Sequence, residues 1–174
     1  MKTDYKRTVL LADEEPFGRL GPSLVLRKAG YDVASACSAT ETLESAASAA
    51  AAGEPFDLVL VDLQIAADPL GDLIGRLRKH SRHHAVGIMS GSIDNERIAE
   101  VMQRGCLGYL EKPFEPSELV KWVEWALAKA LEVREKEDKM HNNLAHSGLC
   151  STCNHSNECG HLARALVPVL HCEE

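Results

Sequence analysis

Short apolar runs alternate with helical stretches from Thr8 to about Lys139. The first run, Thr8 to Ala12, is apolar almost throughout, as expected for a strand that is covered on both faces. Four similar runs follow, and each is separated from the next by a stretch with helical spacing. This alternation predicts an α/β architecture with a five-stranded parallel sheet. The predicted strands are Thr8–Ala12, Tyr31–Ala36, Phe56–Val61, Ala85–Met89 and Gly108–Leu110.

The helices between these strands are predicted from apolar spacing and from their end signals. Phe17, Leu20 and Leu24 recur at helical spacing, which predicts an amphipathic helix after the first strand. Gly30 and Gly105 are placed to end the helices that precede them. The other predicted helices are Thr40–Ala52, Gly71–His80, Ile93–Arg104 and a long helix that opens at Pro116 and Ser117.

The last predicted helix changes character along its length. Val133 to Met140 is nearly all charged, whereas the part before it has an apolar stripe. We expect the first half to pack and the second to project, with His141 to Gly148 as a joint. The predicted domains are a sheet domain at 1–131, a projecting helix and linker at 132–147, and a cysteine-rich tail at 148–174. The stripe consists of Leu119, Val123, Ala126, Leu127, Ala130 and Leu131.

Composition narrows the class of protein. A chain of 174 residues has room for one ordinary domain and an appendage, and its 45% apolar and 26% charged residues argue against disorder throughout. A net charge of −7 disfavours binding to nucleic acid. The polar segment Met1 to Arg7 lacks the order of a signal peptide, and no apolar stretch has membrane-spanning length, so we expect a cytoplasmic protein with no membrane partner.

Charged and polar side chains follow the ends of the predicted strands. Asp13 and Glu14 follow the first strand, Asp62 follows the third, Ser90 the fourth and Lys112 the fifth. In an open parallel sheet these ends meet at one edge, where ligands bind. Three carboxylates in one pocket need a neutralising cation, which predicts Mg²⁺ with Lys112 as a further positive charge.

Four motifs occur in the order and spacing of the response-regulator receiver family, which the sequence resembles over roughly residues 6–130. The resemblance implies a flavodoxin-like, doubly wound sheet with strand order 2-1-3-4-5. It also implies a cis peptide bond between Lys112 and Pro113. The motifs are Leu-Leu-Ala-Asp13-Glu14-Glu15-Pro16, Asp-Leu-Val-Leu-Val-Asp62, Met-Ser90-Gly and Tyr109-Leu-Glu-Lys112-Pro113-Phe114.

The resemblance implies that Asp62 is the phosphoacceptor for a histidine kinase or a phosphotransfer protein. Asp13, Glu14, Asp62 and the backbone carbonyl of Gln64 would hold Mg²⁺. The chain would then be a phosphoacceptor and not an enzyme, and it would at most catalyse its own phosphorylation and dephosphorylation. A hydrolase with an aspartyl nucleophile is a rival, against which the run Glu111 to Phe114 argues.

Lys112 and the Ser90 hydroxyl would contact the phosphoryl oxygens. Ser90 moving toward the phosphate, with Tyr109 turning inward, would remodel the face of the fourth helix, fifth strand and fifth helix. A downstream protein partner, or a second copy of the chain in a homodimer, would bind that face.

The sequence departs from the family pattern near the phosphoacceptor. Glu14 stands where the family more often has Asp. Its carboxylate can still bind a metal, but its side chain is one methylene longer. Ala66 and Leu70 stand where the family usually has Pro and Gly, so we expect a remodelled loop after Asp62. A degenerate receiver that acts as an unphosphorylated docking module is therefore an alternative.

Four cysteines cluster in the last 25 residues, in a segment too short to form its own core. Their spacing, C-x2-C-x5-C-x12-C, suits a tetrahedral Zn²⁺ site, with an iron–sulfur cluster, thiol redox chemistry or inert thiols as alternatives. A DNA-binding zinc finger is disfavoured because Arg164 is the tail's only Lys or Arg. Cys37 and Cys106 are predicted to be small core residues. The tail cysteines are Cys150, Cys153, Cys159 and Cys172.

Overall fold

The computed structural model describes residues 6–66, 73–81, 85–91 and 95–146. Its five strands pair in parallel in the order 2-1-3-4-5. The predicted fold class, a doubly wound parallel sheet of the flavodoxin-like kind, is therefore confirmed. The strands are β1 (Thr8–Ala12), β2 (Asp32–Ala36), β3 (Leu58–Asp62), β4 (Val86–Ser90) and β5 (Tyr109–Glu111).

Six helices occur in the described part of the chain, one more than predicted. The additional helix is a single turn directly after β3, and the predicted fourth and fifth helices are therefore α5 and α6. Residues 141–146, predicted as part of a joint, continue α6. The helices are α1 (Pro16–Lys28), α2 (Ala39–Ala51), α3 (Leu63–Ala66), α4 (Leu73–His80), α5 (Asn95–Gln103) and α6 (Pro116–His146).

Two apolar cores cover the two faces of the sheet. Residues of α2, α4 and α5 pack on one face, and residues of α1 and α6 pack on the other. The central strands β1, β3 and β4 lie between these cores, which explains why their sequences are apolar on both faces. Each fully buried Leu, Ile or Val contributes about 1.5–3 kcal/mol from removal of its surface from water. The buried part of the α6 stripe is Leu119, Val123, Ala126, Leu127 and Ala130, while Leu131 is 41% exposed.

The inward face of α1 differs from the face that the sequence suggested. The helix is confirmed, but Phe17, Leu20 and Leu24 are 84%, 58% and 60% exposed. Ser23 and Leu26 are the buried positions of this helix. Apolar residues spaced three and four positions apart predict a helix, but they do not determine which side of that helix packs against the sheet. The result is an exposed apolar stripe on α1.

Asp57 joins β1 and β3 at the sheet edge where these strands begin. Its buried carboxylate accepts hydrogen bonds from the backbone N–H of Thr8 (2.8 Å) and from the Thr8 hydroxyl (3.2 Å). The Asp57 N–H donates to the Thr8 carbonyl at 3.0 Å. These bonds help to set the register in which Ala12 pairs with Val61, so that β1 and β3 end side by side.

The chain divides into two units, Met1–Leu131 and Glu132–Glu174. The second unit is described for residues 132–146, which are helical. Within the described ranges, no helix is both long enough and apolar enough to cross a bilayer.

Candidate functional site

Lys112 bridges two buried carboxylates at the edge where the strands end. Its Nζ donates to Asp13 Oδ2 and to Asp62 Oδ2, each at 2.5 Å. Asp13 follows β1, Asp62 is the last residue of β3, and Lys112 follows β5. Asp13 is 3% exposed and Asp62 is 9% exposed. The structure therefore brings together three residues that are 49 to 99 positions apart in sequence and that the sequence assigned to one pocket.

The ammonium of Lys112 stays charged in this pocket. Burial on its own would lower the pKa of Lys112, but the hydrogen bonds to Asp13 and Asp62 and the charges of both carboxylates raise it above its ordinary value. Two carboxylates facing one ammonium leave a net negative charge. The pocket is therefore set up to attract a further cation.

Gly18 and Arg19 fix the position of Asp13, and the sequence reasoning missed both. A Cβ at position 18 would lie 2.2 Å from Asp13 Oδ2, so a side chain there would displace the carboxylate. Arg19 Nη1 donates to the backbone carbonyls of Asp13 and Glu14, the latter at 3.0 Å. The Glu15 N–H donates to Asp13 Oδ1 at 2.9 Å. The available signal was a glycine in the early part of a helix, where it costs about 1 kcal/mol relative to alanine.

The two oxygens of Asp62 have different partners. Oδ2 accepts from Lys112, whereas Oδ1 accepts from the backbone N–H of Gln64 at 2.8 Å. Gln64 belongs to α3, so this short helix orients the carboxylate. The ligand role predicted for the Gln64 carbonyl stays a prediction. The loop beyond α3, where we expected remodelling at Leu70, lies outside the described residues.

Ser90 and Lys112 are joined through the backbone. Ser90 is the last residue of β4 and is 3% exposed, and its carbonyl accepts from the Lys112 N–H at 2.7 Å. The peptide bond between Lys112 and Pro113 is cis, as the family resemblance implied. Tyr109 begins β5, is 46% exposed, and accepts a hydrogen bond at its carbonyl from Trp122 Nε1 at 3.0 Å.

The donor set fits a hydrated magnesium ion. Mg²⁺ commonly takes one or two protein carboxylates and completes its shell with water or phosphate oxygens. Asp13 and Asp62 contact the same nitrogen, so they are close enough to face a common ion. Glu14 is exposed, and its ligand role stays a prediction. Across the described ranges, no three His, Cys, Asp or Glu side chains are grouped so that they could hold a metal ion.

The predictions for the two isolated cysteines have different outcomes. Cys106 is buried, as predicted, and burial raises its pKa to about 12. Cys37 is exposed, so its assignment to the core was wrong, because it follows β2 at the rim of the sheet. A hydrogen bond with Glu41 raises the pKa of Cys37. The four tail cysteines, Cys150, Cys153, Cys159 and Cys172, lie outside the described residues.

Comparisons with known proteins point to one family. The response regulator receiver domain profile matches residues 9–124. The alginate biosynthesis transcriptional regulatory protein AlgB of Pseudomonas aeruginosa is 32% identical over 127 residues, which are 73% of this chain but only 26% of AlgB. The nitrate/nitrite response regulator NarL of Escherichia coli is 29% identical over 130 residues, or 74% of this chain and 58% of NarL.

A solved structure gives the same result for the fold. The receiver domain protein (CheY-like) from Methanospirillum hungatei superposes with a TM-score of 0.64 at 20% identity, covering 74% of this chain and 98% of that one. The profile covers well over half of the chain, and the pocket residues Asp13, Asp62 and Lys112 lie within the matched range. This chain belongs to the response regulator receiver domain family.

Proposed function

We propose that the chain is a phosphoacceptor response regulator of a two-component system, which receives a phosphoryl group on Asp62 from a histidine kinase or a phosphotransfer protein. The observation that carries this proposal is the contact of Lys112 Nζ with both Asp13 and Asp62. An ammonium held beside a buried carboxylate can contact the oxygens of an incoming phosphoryl group and neutralise their charge. Phosphoryl transfer depends mainly on such positioning and charge neutralisation. The protein itself is a phosphoacceptor, with at most self-catalysed phosphorylation and dephosphorylation.

In the proposed transfer, an oxygen of Asp62 attacks the phosphorus of a phosphohistidine. The new bond joins phosphorus to the carboxylate oxygen, and the bond to the imidazole nitrogen breaks, so that the imidazole leaves with its electron pair. Lys112 would pass from Asp62 Oδ2 to a phosphoryl oxygen, and the Ser90 hydroxyl would donate to another. A Mg²⁺ ion held by Asp13, Asp62, Glu14 and the Gln64 carbonyl would neutralise phosphoryl charge.

The exposed stripe on α1 supports a kinase-docking role for this helix. Phe17, Leu20 and Leu24 are largely exposed on a helix that begins three residues after Asp13. A partner that brings a phosphohistidine to Asp62 has to approach the edge of the sheet where the strands end, and α1 begins at that edge. Exposed apolar side chains grouped on one helix commonly mark a protein interface.

Leu20→Ser is expected to slow phosphotransfer from a cognate phosphorylated kinase by about tenfold, which corresponds to the loss of an interface contact worth about 1.4 kcal/mol. Labelling by acetyl phosphate should not change, because Leu20 lies on the surface and outside the pocket. Both rates can be measured by phosphoprotein gel. Leu131→Ser, at another exposed leucine, is the matched control. Equal kinase rates in the two variants would remove α1 from the docking surface.

The proposed output is protein contact through the face of α5, β5 and α6, with Ser90 and Tyr109 as the switch pair. A downstream protein or a second copy of the chain would bind there, in the cytoplasm. AlgB is a transcriptional regulatory protein, but the chain covers 26% of it, and we do not propose DNA binding for this chain. A docking module that is never phosphorylated is the alternative, and it predicts no Mg²⁺-dependent labelling.

We also propose that residues 148–174 form a metal-binding tail, joined to the receiver domain (1–131) by residues 132–147. The support is the spacing of its four cysteines, which matches a tetrahedral Zn²⁺ site or, alternatively, an iron–sulfur cluster. Protein purified without oxygen should contain about one zinc per chain by elemental analysis. Iron with visible absorption would indicate the cluster instead.

A variant with Cys150→Ser and Cys153→Ser should lose this metal, because it removes two of the four thiolates. Cys37→Ser should keep it, since Cys37 lies on the described domain. Metal-free wild-type protein, or equal metal content in both variants, would contradict the proposal.

A further inference from the structure

We propose that Trp122 is a positioning residue that holds β5 in the position it has in the unphosphorylated, or resting, state. Trp122 thereby opposes the inward turn of Tyr109 that phosphorylation of Asp62 triggers. This inference rests on the proposed function. Its first support is the hydrogen bond from Trp122 Nε1 in α6 to the carbonyl of Tyr109 in β5, at 3.0 Å. The bond joins the helix of the output face to the backbone of the proposed switch residue.

The carbonyl that Trp122 binds lies on the outer edge of the sheet. β5 is an edge strand whose sheet neighbour is β4. Toward β4, the Gly108 carbonyl accepts from the Ile88 N–H at 3.1 Å, and the Lys112 N–H donates to the Ser90 carbonyl at 2.7 Å. Because backbone groups alternate in direction along a strand, the carbonyl of Tyr109 points away from β4. Trp122 supplies this outward group with a donor.

The indole of Trp122 also packs against β4 at Gly87 and against Gly108, the residue directly before β5. A Cβ at Gly87 in β4 would lie 2.2 Å from Trp122 Cη2, and a Cβ at Gly108 would lie 3.7 Å from Trp122 Cζ2. Position 87 must therefore stay without a side chain for the ring to rest there. Trp125 packs beside it, with ring centroids 5.7 Å apart, and lies 3.0 Å from a Cβ at Gly108.

This arrangement makes the resting position of Tyr109 depend on α6. Leu110 packs in the same core as Trp122, so the side chain of Tyr109 projects on the opposite face of the sheet. There it is 46% exposed. In the proposed switch, the backbone of β5 shifts as Tyr109 turns inward, and this shift lengthens or breaks the bond from Trp122. Loss of the donor should therefore favour the switched state.

Trp122→Phe tests this directly, because it removes the N–H donor and keeps an aromatic side chain at this position of α6. We expect the full chain with this change to bind beryllofluoride, an acyl-phosphate mimic, in the presence of Mg²⁺ between about twofold and tenfold more tightly than wild type. That range corresponds to the loss of one ordinary hydrogen bond from the resting state. Titration calorimetry measures both dissociation constants. Trp125→Phe, which leaves the donor to Tyr109 in place, should match wild type.

A second readout does not depend on the stability of the Phe variant. The chain has two tryptophans, so Trp122 is the only one left in Trp125→Phe. Its fluorescence emission should change when beryllofluoride binds, because the indole N–H loses its acceptor. Unchanged emission, or equal or weaker beryllofluoride binding by Trp122→Phe, would overturn the role of Trp122. Failure of wild type to bind beryllofluoride, or equal binding by Asp62→Asn, would instead overturn the proposed function.

Discussion

Asp62→Asn is expected to abolish phosphoryl incorporation from acetyl phosphate and Mg²⁺, because an amide at this position provides no carboxylate nucleophile. The substitution is nearly isosteric and keeps an oxygen that can accept from Lys112, so the fold should be retained. The measurement is intact mass after incubation, which detects the addition of one phosphoryl group. Wild type should show that addition only when Mg²⁺ is present.

Asp32→Asn is the matched control for this experiment. Asp32 is an exposed aspartate at the start of β2, away from the edge where the strands end. It should label like wild type. Labelling that persists in Asp62→Asn would assign the phosphoacceptor to another residue. A wild-type chain that never labels would support the docking-module alternative.

Lys112→Ala should destabilise the Mg²⁺-free protein by about 2–3 kcal/mol. Removing one partner of a buried ion pair leaves uncompensated charge and typically costs about 3–5 kcal/mol. The cost is lower here because the Lys112 side chain is 23% exposed, so that water screens part of the charge. Added Mg²⁺ should restore part of this loss, since it replaces the missing positive charge between Asp13 and Asp62. Urea unfolding with and without Mg²⁺ measures both effects.

The same variant should label with acetyl phosphate about a hundredfold more slowly, the usual effect of losing one group that stabilises transition-state charge. Lys28→Ala, at an exposed lysine at the end of α1, is the control and should change neither property. If Lys112→Ala were as stable as wild type and labelled at the same rate, the bridge would have no role in the pocket.

The raised pKa of Lys112 also determines how this contribution depends on pH. A lysine whose pKa is higher in the folded state stabilises the fold fully below its unfolded pKa. The contribution is lost only as the pH rises through the folded value. The Lys112 bridge should therefore contribute equally between about pH 7 and 9, well below the ordinary lysine pKa.

Several parts of the site could be predicted from sequence because they lie at the ends of strongly apolar strands. Asp13 and Asp62 follow β1 and β3, and parallel strands necessarily end at the same edge. The placement of Lys112 also needed the family motif, since its cis bond to Pro113 has no signal in composition or spacing.

Contacts between residues remote in sequence could not be predicted in this way. The collision of a Cβ at Gly18 with Asp13 depends on how closely α1 approaches the end of β1. The bond from Trp122 to Tyr109 depends on how α6 lies across β4 and β5. In both cases a glycine allows a close approach that only the folded chain reveals.

The sequence by itself determined the α/β class, the five strands and the set of residues at their carboxyl ends, because apolar runs and periodicity are local properties of the chain. Only the tertiary structure decided which face of α1 is buried, leaving Phe17, Leu20 and Leu24 exposed, and which backbone group Trp122 binds. Periodicity fixes the angle between residues around a helix axis. The rotation of that axis against the sheet is set by packing among segments far apart in sequence.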